Sequence, residues 1–227
     1  MIIASYCDNF YVNYMYVLMK SAHLYVPDAH LYCLLVNCNS KQDSMLREVA
    51  PGIEIEHESV KFDSKDVHKM YMYRRRIKLW NKLVNERVGS IFCPDADTII
   101  RKPCPELVKH LGSCDLTMRV KNHTEDFMDE KKISFAGSTL GFKCLPVAKR
   151  FLQKFAEYNR HDFREFATMR TLSKAFNDIR DLAVTFKHLP RELCSPWHDE
   201  NDKIWEGNGQ KKSLPRWREE SKRIMDL

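Results

Sequence analysis

Asp95 and Asp97 are separated by a single residue. Of all the residues in the chain, this pair has the type and spacing that point most directly to chemistry. They follow the apolar segment Ser90–Cys93, which reads as a short buried strand. In open α/β sheets, ligands bind outside the carboxyl ends of the strands. Two carboxylates at that position favour a hard divalent cation, which would bridge the phosphates of a bound diphosphate. The alternative is a solvated turn in which one aspartate caps the next helix.

The pattern of apolar residues predicts the elements that must position this pair. The predicted strands are Ile2–Tyr6, Leu31–Val36, Ile53–His57 and Ser90–Cys93, separated by helices over 10–26, 41–49 and 68–87. This βαβαβ opening predicts an α/β fold whose sheet is mostly parallel and flanked by helices. Later strands are predicted over Asp115–Val120, Phe135–Phe142 and Leu182–Leu189, with helices after Pro105 and over 145–160 and 163–178. Because fewer helices separate these later strands, we expect a mixed sheet.

Composition narrows the classes of protein. Hydrophobic residues make up 44% of the chain and charged residues 30%, as in folded soluble proteins. Glycine occurs seven times, and Gly52 is the first, so the first βα turn is neither a G-x-G-x-x-G dinucleotide loop nor a P-loop. The glycine-rich opening of sugar nucleotidyltransferases is missing for the same reason. The net charge of +6 suits an anionic ligand, either a small phosphate compound or a nucleic acid.

The positions of the cysteines and the hydropathy of the chain indicate the cellular compartment of the protein. None of the eight cysteines forms a C-x-x-C pair, so a structural zinc site has no support. Most lie in apolar segments such as Leu31–Val36, which favours reduced buried thiols, although the even number leaves disulfides open. We find no secretory signal and no run near the roughly 18 apolar residues of a membrane span. A cytoplasmic protein is expected, of cellular, bacterial or viral origin.

Trp80 and the segment Ser90–Ile100 resemble the central segment of glycogenin and related glycosyltransferases of the GT-A fold. The resemblance implies this nucleotide-diphospho-sugar transferase fold. It also implies that Asp95 and Asp97 hold Mn²⁺ or Mg²⁺, with Asp95 and Ala96 also lying against the donor nucleotide sugar. Arg76, four residues before Trp80, matches the family's basic residue that contacts the donor.

The opening segment, Ile3–Tyr11, is similar to the first strand and loop of the family. The match implies that Ala4 and Tyr6 line the pocket for the nucleobase and that the ring of Tyr11 stacks on the base. For Tyr11 the alternative is an aromatic core residue on one face of the following helix.

The segment Glu206–Lys212 is similar to the family's His-x-x-Gly-x-x-Lys segment, whose His completes the metal site. Glu206 stands in the position of that His and is the implied third metal ligand. Lys212 matches the lysine that reaches the diphosphate. His198 is a rival third ligand, and a flexible polar loop is the alternative for the whole segment.

The catalytic carboxylate is less closely matched. Phe135–Phe142 resembles the family's strand with an Asn-Ser-Gly turn, but Ala136–Ser138 takes the place of that turn. On the helix that follows, Thr168 stands where retaining members carry an Asp. Asp162 and Glu165 are therefore the candidate catalytic carboxylates, with surface helix charges as the alternative.

The resemblance implies a metal-dependent, hexosyltransferase-like glycosyltransferase, with UDP-sugar as the favoured donor and a hydroxyl of a glycan or glycoprotein as acceptor. We expect one domain over 1–227, with a nucleotide-binding half at 1–100 and a sugar and acceptor half at 101–227, alone or within a longer protein. Neither a nucleic-acid partner nor a membrane span is expected. The alternatives are another phosphate-chemistry enzyme, such as a nucleotidyltransferase, and a basic non-catalytic nucleic-acid-binding domain.

Overall fold

The computed structural model describes residues 1–120, 135–161, 167–195, 198–207 and 209–227. The strands in these parts are β1 (Ile2–Asp8), β2 (His30–Val36), β3 (Glu54–Glu58), β4 (Ser90–Cys93), β5 (Thr98–Ile100), β6 (Leu116–Val120), β7 (Phe135–Lys143), β8 (Phe186–His188), β9 (Cys194–Ser195) and β10 (Ile204–Glu206). The helices are α1 (Val12–Tyr25), α2 (Ser40–Val49), α3 (Lys65–Glu86), α4 (Pro105–Gly112), α5 (Pro146–His161), α6 (Ala167–Asn177) and α7 (Pro215–Asp226).

A sheet in the order β3-β2-β1-β4-β7-β6-β8 forms the centre of the fold. Strands β1, β2 and β3 run parallel to one another, as the βαβαβ pattern predicts. The pairing of β6 with β7 is antiparallel, whereas that of β6 with β8 is parallel. The expected mostly parallel, mixed sheet is therefore confirmed. A smaller sheet joins β5, β10 and β9, with β10 antiparallel to β5.

Side-chain caps explain where two helices begin. Asn39 and Gln42 form a capping box at the start of α2, each side chain binding the backbone of the other. The hydroxyl of Ser64 accepts a hydrogen bond from the amide of Val67, so α3 begins at Lys65, three residues before the predicted start.

The chain divides into two compact units that interleave along the sequence. The first comprises Met1–Val60, Phe92–Lys109 and Pro190–Leu227, and the second Lys61–Ile91 and His110–Leu189. The expected single domain with halves meeting at residue 100 stays a prediction.

Each unit has its own buried residues. In the first, nearly all of β1 and β2 is buried. In the second, Trp80 of α3 stacks on Phe155 of α5, which in turn stacks on Phe151. No helix within the described residues combines the length and the apolar character needed to cross a bilayer.

Candidate functional site

The Asp95–Asp97 turn lies between β4 and β5, where the sequence places it. The hydroxyl of Ser5, on β1, donates a buried hydrogen bond of 2.8 Å to the carbonyl of Pro94. Within the turn, the amide of Thr98 donates to the carbonyl of Asp95 over 3.1 Å. The turn is therefore fixed to β1 at one end and closed on itself at the other. Asp97 is 9% exposed, and Asp95 is half-buried.

Asp97 forms an ion pair with Lys212, which lies 115 positions away in the chain. The ammonium Nζ of Lys212 lies 3.0 Å from Oδ2 of Asp97 and donates a second hydrogen bond of 3.1 Å to the hydroxyl of Tyr11. The same Nζ lies 4.4 Å from the ring centroid of Tyr11 and 5.1 Å from that of Tyr14. The segments that contain Tyr11, Asp97 and Lys212 were identified separately in the sequence, and they meet at the ammonium group of Lys212.

The surroundings of Lys212 keep it charged. Burial by itself lowers the pKa of the ammonium, but the charge of Asp97 and the hydrogen bonds to Tyr11 and Asp97 outweigh it, so the pKa lies above its ordinary value. Lys212 therefore remains a cation throughout the neutral pH range. A fixed positive charge beside a partly buried carboxylate and a tyrosine ring is suited to binding an aromatic ring that carries phosphate.

Gly207 binds the backbone of Asp97, a contact that was not predicted from the sequence. Its amide donates a hydrogen bond of 2.7 Å to the carbonyl of Asp97. A Cβ at Gly207 would lie 2.5 Å from that carbonyl oxygen and 2.9 Å from Cβ of Asp97, closer than real Cβ atoms come to other heavy atoms. Only glycine fits here without displacing Asp97. The sequence holds one indication of this contact, because a glycine directly follows Glu206 although the chain has only seven glycines.

Glu206 is buried in the small sheet, and its strand partner is Thr98. The thiol of Cys194 lies 3.5 Å from Oε1 of Glu206. This register places Glu206 at the end of β10, directly before Gly207. The predicted ligand residues Asp97 and Glu206 thus belong to adjacent strand ends of one sheet.

His198 contacts the backbone of Glu206 rather than its carboxylate. Its Nε2 lies 2.7 Å from the carbonyl of Glu206, and its ring stacks on Trp205 with centroids 5.0 Å apart. Its φ of 58° is in the left-handed region, which few side chains adopt. Burial lowers the pKa of His198 below its ordinary value. Among the residues that the structure describes, Nδ1 of this buried ring has no hydrogen-bond partner.

The predicted metal ligands do not converge on one point in this structure. Within the described residues there is no group of three or more His, Cys, Asp or Glu side chains that could hold a metal ion. Asp97 instead faces the ammonium of Lys212, which occupies the place of a cation. Mg²⁺ and similar ions in phosphate sites are commonly held by one or two carboxylates together with the phosphates and water. The residues fit that kind of site, and the ligand set Asp95, Asp97, Glu206 and His198 stays a prediction.

The two residues predicted to line the base pocket, Ala4 and Tyr6, lie on β1. Ala4 is buried and Tyr6 half-buried, on the same face of the strand because side chains alternate. The carboxylate of Asp8 accepts hydrogen bonds from the amides of Phe10, at 2.9 Å, and Tyr11, at 3.0 Å. This turn presents the Tyr11 ring, which is 41% exposed, and that exposure does not fit the alternative of a core aromatic.

The remaining predicted residues belong to other parts of the sequence. Arg76 is on α3, in the second unit, where it is 8% exposed and its guanidinium carbon lies 5.7 Å from the ring centroid of Trp80. The strand resembling the family's turn-bearing strand is β7, Phe135–Lys143. Asp162 and Glu165 lie outside the described residues.

Comparison with known proteins identifies the fold. No family model matches the chain, and no curated protein matches its sequence. A crystal structure of the galactosyltransferase LgtC in complex with donor and acceptor sugar analogs is similar, with a TM-score of 0.58 and 15% sequence identity over 100% of this chain and 94% of that chain. An active-site mutant of LgtC gives 0.51 and 14% over 97% of this chain and 83% of that one.

These similarities establish that the chain has the GT-A fold, with a central, mostly parallel mixed sheet flanked by helices. The fold class expected from the sequence is therefore confirmed. The closer resemblance to the glycogenin-like enzymes stays a prediction.

Proposed function

We propose that this protein is a metal-dependent glycosyltransferase that moves a sugar from a UDP-sugar to a hydroxyl of a glycan or protein. The observation that carries the proposal is the cluster of Asp97, Lys212 and Tyr11 at the strand ends of a GT-A fold. It combines, in one place, a carboxylate for a cation, an ammonium for phosphate and a ring for a base. LgtC, which shares the fold, is a galactosyltransferase.

Each residue of the cluster has a separate part in holding the donor. Tyr11, which is 41% exposed, would supply the ring on which a nucleobase stacks, with Ala4 and Tyr6 lining the proposed base pocket. Lys212 contributes a point charge to the diphosphate. Asp97, with Asp95, would hold Mn²⁺ or Mg²⁺ against the same diphosphate, and the bound ion would supply positive charge to the leaving group.

In the proposed reaction the chain acts mainly by electrostatics and positioning. Negative charge grows on the diphosphate as the glycosidic bond breaks, and the ammonium of Lys212 would stabilise this charge. Arg76 is proposed as a second donor contact, with Glu206 and His198 as further ligands of the ion. Asp162 and Glu165 are the proposed catalytic carboxylates, one of which would accept the proton of the acceptor hydroxyl or attack the sugar.

Calorimetry with UDP, in the presence and absence of Mn²⁺, tests the donor site. We expect binding that requires the ion and that weakens at least about tenfold in Asp97→Asn, because the variant removes the charge that holds the ion. The matched control is Asp28→Asn, at an exposed aspartate of the same unit. Binding of UDP that is indifferent to Mn²⁺, or equal in Asp97→Asn and wild type, would falsify the proposal.

A second measurement separates transfer from nucleotide binding alone. The wild type is incubated with UDP-glucose or UDP-galactose and Mn²⁺ without added acceptor, and release of UDP is followed. We expect slow hydrolysis, which is abolished by chelation of the ion and by Asp97→Asn. If UDP binds but neither sugar nucleotide is ever cleaved, with or without a panel of glycan acceptors, the chain is a nucleotide-binding protein rather than a transferase.

A further inference from the structure

The second unit carries a long groove between the exposed faces of α3 and α5. One part of it is a cavity of about 810 Å³, lined from α3 by Arg74, Lys78 and Lys82 and from α5 by Gln153, Glu157 and Arg160, among others. A second cavity of about 400 Å³ shares Gln153 and Glu157 with the first and continues along α5. We call the two together the basic groove.

Most of the charged side chains that line the basic groove are positive. Its second part adds the basic residues Lys149, Arg150 and Lys154. Seven basic side chains line the two cavities against two acidic ones, so the lining has five of the six net positive charges of the whole chain. One of the two acids, Glu157, is already paired with Lys154 at 2.9 Å. The excess that the sequence spreads along the chain is therefore gathered on one surface.

Side-chain amides are also part of the lining of the basic groove. Nδ2 of Asn81 donates to the carbonyl of Ile77, at 3.0 Å, and to that of Leu152 on α5, at 3.3 Å, which joins the two helices. Asn85, Gln153 and Asn159 also line the groove. Side-chain amides both donate and accept, so amides in the lining, such as that of Gln153, can bind the alternating N–H and C=O groups of an extended peptide.

The spacing of the basic residues also fits an extended peptide. Arg74, Lys78 and Lys82 follow one another at intervals of four residues on one face of α3, which places successive charges about 6 Å apart. Alternate side chains of an extended peptide point the same way and are about 6.7 Å apart. From Lys149 to Arg160 the groove follows α5 for about 16 Å, the length of about five extended residues.

The same lining disfavours other anionic partners. No aromatic residue lines either cavity within the described chain, whereas single-stranded nucleic acids bind through stacking on aromatic rings. A concave groove offers a flat membrane surface few contacts. We propose that the basic groove binds an extended acidic segment of a partner protein, with acidic side chains at every second residue.

Fluorescence anisotropy with a labelled decapeptide of alternating glutamate and serine tests this proposal at low ionic strength. We expect binding by the wild type that weakens as salt rises, since the paired charges are exposed and screened. Lys78→Glu, which reverses a charge at the centre of the α3 row, should weaken binding about tenfold. The control Lys109→Glu, at an exposed lysine of α4 outside the groove, should change it less than about twofold.

A second variant, Arg160→Gln, tests the opposite wall independently, in case Lys78→Glu does not fold; we expect it to weaken binding about threefold. UDP binding should be unchanged in both, so that failure of the groove and failure of the donor site are distinguished. The proposal is overturned if the wild type does not bind the peptide, or if a serine–glycine peptide binds equally well. It is overturned too if Lys109→Glu weakens binding as much as Lys78→Glu, or if oligothymidylate or phosphatidylserine vesicles bind more tightly than the peptide.

Discussion

At the scale of single residues, the position of Asp97 depends on a neighbour without a side chain. The carbonyl of Asp97 accepts a hydrogen bond from Gly207, and the backbone at Gly207 passes directly against Cβ and Cγ of the aspartate. The carboxylate of Asp97 is paired with Lys212. Asp97 is therefore held between the end of β10 and the segment that follows it, which makes its direction sensitive to a single methyl group.

We predict that Gly207→Ala weakens Mn²⁺-dependent binding of UDP at least about tenfold, with no change in the residues that contact the ligand. The added Cβ would lie 2.5 Å from the carbonyl oxygen of Asp97, which is backbone and cannot turn away. Calorimetry measures the loss, and circular dichroism checks that the variant folds.

The matched control for this prediction is Gly112→Ala. A Cβ at Gly112 meets nothing within 4 Å, so this variant should bind UDP as the wild type does. Equal affinities in Gly207→Ala and wild type would mean that Asp97 does not hold the ion in the proposed way.

At the scale of elements, α7 determines where Lys212 can lie. Trp217, near the start of α7, packs into a buried cluster with Val17 of α1, Ile99 of β5 and Trp205 of β10. Its ring also meets that of Tyr14, with centroids 5.4 Å apart, and Tyr14 lies against Tyr11. The short 3₁₀ helix that carries Lys212 leads directly into this anchored helix.

We predict that Trp217→Ala lowers the free energy of unfolding by about 3–5 kcal/mol, the usual cost of truncating a buried tryptophan. It should also weaken UDP binding under conditions where the protein remains folded, because α7 no longer fixes the approach of Lys212 to Asp97. Urea unfolding and calorimetry below the transition measure the two effects.

Arg218→Ala, at the exposed position next along α7, is the control and should change stability by less than about 0.5 kcal/mol. If Trp217→Ala destabilises the protein but binds UDP with wild-type affinity, then α7 supports the fold and not the site.

At the scale of the whole molecule, none of the eight cysteines, all within the described residues, takes part in a disulfide, and the expectation of reduced side chains stays a prediction. Six of them are buried, and Cys38 and Cys144 are half-buried. Burial raises the pKa of the Cys104 thiol to about 11 and that of the Cys144 thiol above its ordinary value. The thiolate is the reactive form, so these side chains react slowly in the folded protein.

We predict that Ellman's reagent modifies no more than two thiols rapidly in the native protein and all eight after unfolding in guanidinium. The double variant Cys38→Ser, Cys144→Ser should abolish the rapid phase. Dithiothreitol should leave the midpoint of thermal unfolding unchanged, because there is no disulfide for it to reduce. Several rapidly reacting thiols in the double variant, or a lower midpoint in dithiothreitol, would contradict this arrangement.

The sequence by itself determined the local parts of this protein. Periodicity over β1, β2 and the helices between them identified the parallel half of the sheet. The same reasoning placed the Asp95–Asp97 turn at the end of β4. Strands β9 and β10, of two and three residues, were not predicted because a period of two cannot be recognised over so short a run.

Only the tertiary structure decided which distant residues meet. It joined Asp97 to Lys212 across 115 positions, gave Gly207 its contact with Asp97, and gathered the basic residues of α3 and α5 into one groove. Local patterns record which face of an element is buried, because burial of apolar side chains repeats with the period of the backbone. They carry no record of the register and packing that bring separate segments together, and these decide the geometry of the site.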